Sequence, residues 1–421
     1  MPVARVKDAH LIAQSWLSEI SLSGLIQDRL ADTTLIGQVD VVALGKASRE
    51  MFDSLREILG SRLGRHFIVC DRDSASRDSE ELSVRVGEHP LPGAGSVAAA
   101  RELVEFLEAG SESDTTLFAI SGGASSLCNL SQHPMTMEDL ASIWQYALRG
   151  GVDITTLNRL RAATSQIAGG LILRHVRTAT SMSLIMVDNV VSGAEWVASG
   201  LTYDATISDN DLDELLERFH IPDGELRRRI VEAAERRSIN AKVPVTTNHT
   251  NTVLAEPSLM LNAAISTAKS LGYRVYSLGA SVTGEASSVA KRMCKRAASV
   301  KTPEPFCVIG AGEVTIALSG NGVGGRCQEM AWAAAPWLER LQRRAGFVAH
   351  ASDGRDHVAG VAGAWADNKS MSRINDEDFN YDAILEDHDT LPALSAIGQL
   401  IPGEHTGWNL CDLYVVCVGQ A

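Results

Sequence analysis

The sequence predicts an α/β protein of two domains with mostly parallel sheets. Three observations predict it. The chain has 421 residues, whereas a single hydrophobic core stops growing near ~250–300 residues. Short apolar runs alternate with stretches of helical periodicity, the pattern of strand–helix–strand units. Three of those runs end in glycine-rich or polar turns, and parallel sheets bind ligands at the carboxyl ends of their strands.

The elements follow in order. Residues 8–31 read as helical, with Leu11, Ile12, Trp16 and Ile20 at helical spacing. Residues 41–44 read as a buried strand that runs through Gly45-Lys46-Ala47 into a helix with Met51, Leu55 and Ile58 inward. A second strand is expected over 66–70. A helix over 96–107 follows the turn His89-Pro90-Leu91-Pro92-Gly93. The third strand, 116–120, enters Ser121-Gly122-Gly123-Ala124-Ser125-Ser126. Helices are expected over 137–149, N-capped by Thr136, and over 157–175. A fourth strand over 182–187 ends at Asp188-Asn189. Residues 207–240 read as charged helix whose Arg227-Arg228-Arg229 cluster belongs to a solvated face. The alternation then restarts. Strands are expected at 243–247, 274–278, 306–309, 314–318, 347–351 and 413–418, and helices over 258–271, 285–298 and 327–345. The domains are accordingly expected over residues 1–240 and 241–421.

The formal net charge of −14 argues against nucleic acid as a partner, because phosphate backbones require a basic surface. An acidic protein that handles phosphates must concentrate cations and backbone N–H groups locally. Seven scattered cysteines, without a CxxC pair, argue against a zinc ribbon or disulfide framework and suit a reducing cytosol. No apolar h-region opens the chain and no apolar stretch reaches ~18 residues, so a cytoplasmic protein without a membrane span is expected.

Four constellations could carry chemistry. Glycines in the turn Ser121–Ser126 allow successive N–H groups to wrap an anion, although a tight strand-to-helix turn with a serine cap reads equally well. Gly320-Asn321-Gly322-Val323-Gly324-Gly325-Arg326 offers a flexible backbone and a guanidinium suited to a polyphosphate. No Lys-Ser/Thr follows it, so it is not a Walker A loop, and a hairpin loop is the plain alternative. Lys46 emerges from a buried strand beside a glycine, as a residue for an anionic ligand or as a surface lysine. Ser352-Asp353-Gly354-Arg355-Asp356-His357 ends another strand, where Asp353 and Asp356 could hold Mg²⁺ or accept a hydroxyl proton, or simply form Asx turns. Asp188 and Glu313 are further acidic candidates. His89 and His357 read as structural more readily than catalytic. Asn158 and Arg161 either contact substrate or start a helix. A nicotinamide enzyme needs GxGxxG after its first strand, and Ala-Leu-Gly-Lys-Ala-Ser stands there instead.

In order along the chain, Gly45-Lys46-Ala47, Gly87-Glu88-His89-Pro90-Leu91-Pro92, Ser121-Gly122-Gly123, Asn158, Arg161, Ser165, Gly169-Gly170, Ala198-Ser199-Gly200, Gly284-Glu285-Ala286, Gly324-Gly325-Arg326 with Gln328-Glu329, Ser352-Asp353-Gly354 and Thr406-Gly407 with Asn409 form a collinear set. The set resembles the glycerate 2-kinase family, whose C-terminal half is the MOFRL domain. The resemblance implies a Rossmann-like N-terminal domain, a smaller MOFRL-like α/β C-terminal domain and an active site in the cleft. It implies ATP, Mg²⁺ and phosphorylation of the 2-hydroxyl of glycerate, and it leaves a homodimer open.

On this resemblance Lys46 and Arg326 are the catalytic cations acting on the moving phosphoryl group. Asp188 and Asp353 join them, and with Glu313 form the metal candidates. Ser121, Gly122, Gly123, Ser125, Asn158, Arg161, Gly324, Gly325, Asp356, His357 and Asn409 are the substrate or phosphate contacts. Which loop holds ATP and which the acceptor stays open. The chain departs from the family pattern in Ala162-Ala163, where Lys-His is usual, in Ala168, where lysine is usual, and in Cys327, Arg355, Glu404-His405 and Trp408. The departures point to an acceptor other than D-glycerate. The alternatives are a member with a different transfer, one that only binds a ligand, and the hydroxypyruvate reductase named for some members, which the missing dinucleotide motif does not support.

Overall fold

A computed structural model of the chain describes residues 4–75, 84–150, 152–189, 193–205, 208–317 and 320–420. It divides into two compact units, Leu22–Ala255 and Met1–Ser21 with Glu256–Ala421. The division therefore lies at Ala255, beyond the expected residue 240, and the N-terminal helix belongs with the C-terminal half. Two causes shift it. The last strand of the first sheet is Asn248–Ala255, later than the expected 243–247. The expected helix 8–31 is two helices, Ala4–Glu19 and Leu22–Ala31, and the former packs against the C-terminal sheet.

The first unit holds six strands: β1 (Val39–Leu44), β2 (Leu63–Cys70), β3 (Val84–Val86), β4 (Thr115–Ile120), β5 (Thr180–Met186) and β6 (Asn248–Ala255). Their order is β3-β2-β1-β4-β5-β6, and every pairing is parallel. β1 and β4 are buried at every position, as the central strands of a covered parallel sheet should be. This is the Rossmann strand order. The direction of strand addition reverses between β1 and β4, which opens a crevice at their carboxyl ends. Helix Ala94–Glu108 packs its Ala99, Ala100 and Leu103 against Val42, Phe67 and Phe118 of the sheet. Helices Met137–Gly150, Ile154–Ala163, Asp209–Arg218 and Glu225–Asn240 build a second core around Ile143, Leu160, Leu216, Phe219 and Ile230.

The helix expected over 157–175 stops at Ala163. Ser165 Oγ accepts the N–H groups of Ile167 (3.1 Å) and Ala168 (3.0 Å), and Gly169 and Gly170 take positive φ of 61° and 81°. Those two glycines cost an L-residue its preferred backbone, so the chain turns there and resumes as a short 3₁₀ turn, Leu171–His175.

The second unit has a mixed sheet. β7 (Arg274–Ser277), β8 (Val282–Glu285), β9 (Phe306–Thr315), β10 (Ala345–Ala351), β11 (Val361–Asp367), β12 (Leu400–Pro402) and β13 (Asp412–Val418) run in the order β12-β11-β10-β13-β9-β7, with β8 beside β9. β9 is one strand where two were expected, and position 318 of the second lies outside the described residues. Helices Ala286–Ser299 and Arg326–Glu339 cover the sheet through Met293, Met330, Trp332 and Leu338. The latter ends at Glu339, short of the expected residue 345. Among the described residues no helix is long and apolar enough to cross a membrane.

Candidate functional site

The reversal of the first sheet places two turns side by side. Gly45 follows β1 with φ of 117°, and a Cβ there would collide with Ser121 after β4. Lys46 N–H donates to the Gly122 carbonyl (3.0 Å), and Ala47 N–H donates to Ser121 Oγ (3.0 Å). Ser121, fully buried, thus ties the turns together rather than facing a ligand. Gly123 has φ of 86°, and a Cβ on it would lie 3.3 Å from Lys46 Cγ and 3.4 Å from His89 Cδ2. Lys46, His89 and the glycine turn are therefore one surface. The half-buried Lys46 ammonium makes no hydrogen bond or ion pair among the described residues. Desolvation lowers the His89 pKa to about 4, helped by the charges of Lys46 and Arg161 and opposed by Asp71, although the residue keeps an edge open to solvent. The ring is neutral at pH 7.

Helix Ile154–Ala163 begins at Asp153, whose carboxylate accepts Thr156 N–H (2.9 Å), and presents Asn158 and Arg161 one turn apart. The Arg161 guanidinium stands 5.6 Å from the Trp144 ring centre and has no carboxylate partner among the described residues. Desolvation brings its pKa down to about 10, so it stays cationic. Arg161 and Asn129 form the wall between two small chambers. One is lined by Ser125, Ser165, Ala168 and Ser199, and the other by Leu91, Leu140, Ile143 and Trp144. Ala168 lines the first chamber, whereas Ala162 and Ala163 are buried in their helix and line neither. Asp188 lies just past the end of β5, half-buried and engaged in interactions of its own.

In the second unit Arg326 opens a helix, with Glu313 hydrogen-bonded to its guanidinium and Asp412 Oδ1 at 3.3 Å. Desolvation opposes the charge, but Asp412 and Glu313 outweigh it and hold the Arg326 pKa well above its ordinary value. Asp412 is itself buried. Desolvation raises its pKa to about 7 against the pull of Arg326, with Asp356, Glu313 and Asp353 adding repulsion. Sequence reasoning missed Asp412. Its signal is an acid opening the apolar run Asp412–Val418.

The glycine loop is not an open nest. Asn321 N–H donates to Asp387 Oδ1 (2.9 Å), Val323 N–H to Asp389 Oδ1 (2.9 Å), and Gly322 N–H to the Asp387 carbonyl (2.9 Å). Three of the N–H groups expected to cradle phosphate are therefore already bonded. Gly324 packs on Thr390 and His388, and Gly325 on Asp356, so both glycines are required by close approach. Asp356, expected to contact substrate, caps the helix: its carboxylate accepts Cys327 N–H (3.1 Å) and Gln328 N–H (2.8 Å). Asp353 forms an Asx turn with Arg355 N–H (2.9 Å) and stays half-buried. His357 is exposed with φ of 69°. Asn409 is buried beside Leu410, whose N–H donates to Ser352 Oγ (2.8 Å). Among the described residues no group of three or more His, Cys, Asp or Glu side chains could hold a metal ion.

A Rossmann-ordered unit whose Lys46 and Arg161 lack acidic partners among the described residues, joined in one chain to a mixed-sheet unit, defines a two-unit α/β protein with a candidate anion site. The chain belongs to the DUF4147 family, described as a domain of unknown function, whose model matches residues 2–234, and the MOFRL family model matches residues 306–412. It is similar to the D-glycerate 2-kinase of Thermotoga maritima, 26% identical over 94% of this chain and 95% of that protein. It is also similar to the glycerate 2-kinase of Pyrococcus horikoshii, 27% identical over 91% of this chain and 88% of that one. The crystal structure of the Thermotoga maritima glycerate kinase shares the fold, with a TM-score of 0.81 at 24% identity over 99% of this chain and all of that one. The resemblance read from the motifs holds across nearly the full length.

Proposed function

We propose that the chain is an ATP-dependent kinase that phosphorylates a hydroxyl of glycerate or a related small hydroxy acid. One observation carries this reading: among the described residues, Lys46 and Arg161 are left without acidic partners around the glycine turns of the sheet reversal. Elsewhere in this protein of net charge −14, arginines such as Arg65, Arg159 and Arg373 are ion-paired. Unpaired, partly desolvated cations await an anion.

In the reaction the acceptor oxygen bonds to the γ-phosphorus of ATP, the bond from that phosphorus to the β–γ bridging oxygen breaks, ADP leaves and the hydroxyl proton is released. Catalysis of such a transfer is mostly positioning and charge neutralisation. Lys46 and Arg326 would each supply positive charge to the transferred group, and Arg161 would hold the acid's carboxylate. Mg²⁺ usually binds nucleotide phosphates with only one or two carboxylates from the protein. Asp353 in the second unit or Asp188 in the first suits that share, whereas Glu313 is committed to Arg326. The ion would neutralise phosphate charge.

A coupled ADP-release assay over D-glycerate, larger hydroxy acids and polyols tests the reading, with NAD(P)H oxidation by hydroxypyruvate beside it. ADP release that depends on the acceptor, without NAD(P)H turnover, is expected. No ADP release with any acceptor overturns it.

A further inference from the structure

A chain of three hydrogen bonds in the first unit has only one consistent direction. The Trp196 carbonyl can only accept, so Asn158 Nδ2 donates to it (3.1 Å) and the Asn158 amide is oriented without ambiguity. Asn158 Oδ1 can then only accept, and Ser199 Oγ donates to it (3.1 Å). Ser199 has one proton, so in its 2.8 Å contact with Ser125 it must accept, and Ser125 must donate. Ser125 has now spent its own proton. Ser125 is partly exposed and lines the chamber shared with Arg161, and its Oγ has only lone pairs to offer there.

The relay is held at some cost. Ala198 and Ser199 adopt φ of 54° and 55°, two successive non-glycine residues in the left-handed region. Such conformations persist where the surroundings over-determine them and cluster at ligand sites. Ser199 and Asn158 are buried, so the direction of the relay is not lost to solvent. The same chamber is lined by Arg161, a guanidinium with no acidic partner among the described residues and only donors to offer.

We infer that this chamber selects 2-hydroxy acids over 2-keto acids. Ser125 Oγ accepts the ligand's hydroxyl proton while Arg161 donates to its carboxylate, and Asn158 and Ser199 are positioning residues that fix the polarity of Ser125. A keto oxygen brings lone pairs against lone pairs and is rejected, as sites built around a ligand O–H reject analogues that lack it. The inference rests on the kinase reading for the class of ligand, and it names which oxidation level of that class the site admits.

The test is isothermal titration calorimetry on the full chain without nucleotide, with D- and L-lactate against pyruvate, a pair differing only at the carbon beside the carboxylate. One lactate enantiomer should bind roughly tenfold or more tighter than pyruvate, the gain of one well-made hydrogen bond. Ser125→Ala should bring the ratio towards one, Ser125→Thr should retain it, and Asn158→Ala should lower it while leaving pyruvate affinity in place. Arg161→Met should weaken both acids alike. Equal binding of lactate and pyruvate to the native chain overturns the inference. So does a ratio unmoved by Ser125→Ala, or absence of binding by a chain that phosphorylates hydroxy acids. The expected ratio in a chain that releases no ADP would leave the chamber as inferred and remove the kinase reading instead.

Discussion

At the scale of single residues, the two cations proposed for the phosphoryl group differ in what they do for the fold. Lys46 is unpaired among the described residues, so Lys46→Ala should leave thermal stability unchanged while lowering kcat on the order of 10³-fold or more. Arg326 answers Glu313 and buried Asp412. Arg326→Ala should lose activity to the same degree and also cost about 1–3 kcal/mol at pH 8, because it strands a buried carboxylate. Rate measurements paired with urea unfolding separate the two effects. Retention of over about a tenth of the native rate by either variant would remove that residue from the mechanism. The candidates legible in the sequence were those marked by glycines beside a charge, such as Lys46 and Arg326. Asp412 was hidden because its neighbours, Leu413 to Val418, are a strand's apolar run. Asp356 was legible as an acid, but only its hydrogen bonds to Cys327 and Gln328 tell a helix cap from a ligand contact.

Helices and strands were readable where burial makes the pattern simple. β1 and β4 are buried throughout, and their apolar stretches 41–44 and 117–120 announce them. β6 begins Asn-His-Thr-Asn-Thr at the sheet edge, and its polar start concealed it. β11, Val-Ala-Gly-Ala-Trp-Ala-Asp, carries too few large side chains to announce a strand. The glycine loop before helix Arg326–Glu339 had the composition of an anion nest, but Asp387 and Asp389, over sixty residues away, occupy its N–H groups. Local composition cannot report such a distant partner. The same helix supplies a prediction at this scale. Asp356→Ala removes the partner of two buried N–H groups and should destabilise the second unit by about 1–3 kcal/mol, the cost of losing a strong cap. Gly325→Ala should act in the same direction, since its Cβ would displace the Asp356 carboxylate. If Asp356→Ala unfolded at the native urea midpoint, the cap would carry no energy.

Across the whole chain, buried titrating groups should give stability a pH dependence made of two opposed parts. His350 is 2% exposed, and desolvation, aided by the nearby charge of His10, lowers its pKa from 6.5 to about 4. The unfolded chain takes up a proton there first, so this contribution is complete above pH 6.5 and is lost as the pH falls through 4. Asp412 runs the other way. Its folded pKa of about 7 lies above the ordinary 3.8, so its contribution is complete below about 3.8 and is lost as the pH rises through 7. Glu329, raised to about 7 by desolvation despite its bond with His388, adds to Asp412. Between pH 4 and 7 the two parts oppose each other, and the native profile should be shallower than the carboxyl part alone would make it. Substitution should uncover each part. Relative to the native chain, His350→Gln should gain about 2 kcal/mol on going from pH 7 to pH 5, since one pKa unit is worth about 1.4 kcal/mol. Asp412→Asn should gain relative to the native chain as the pH rises from 5 to 8. Urea unfolding at four pH values, followed by fluorescence, measures both. A difference between His350→Gln and the native chain that stays constant from pH 7 to 5 would mean that His350 titrates alike in the folded and unfolded states.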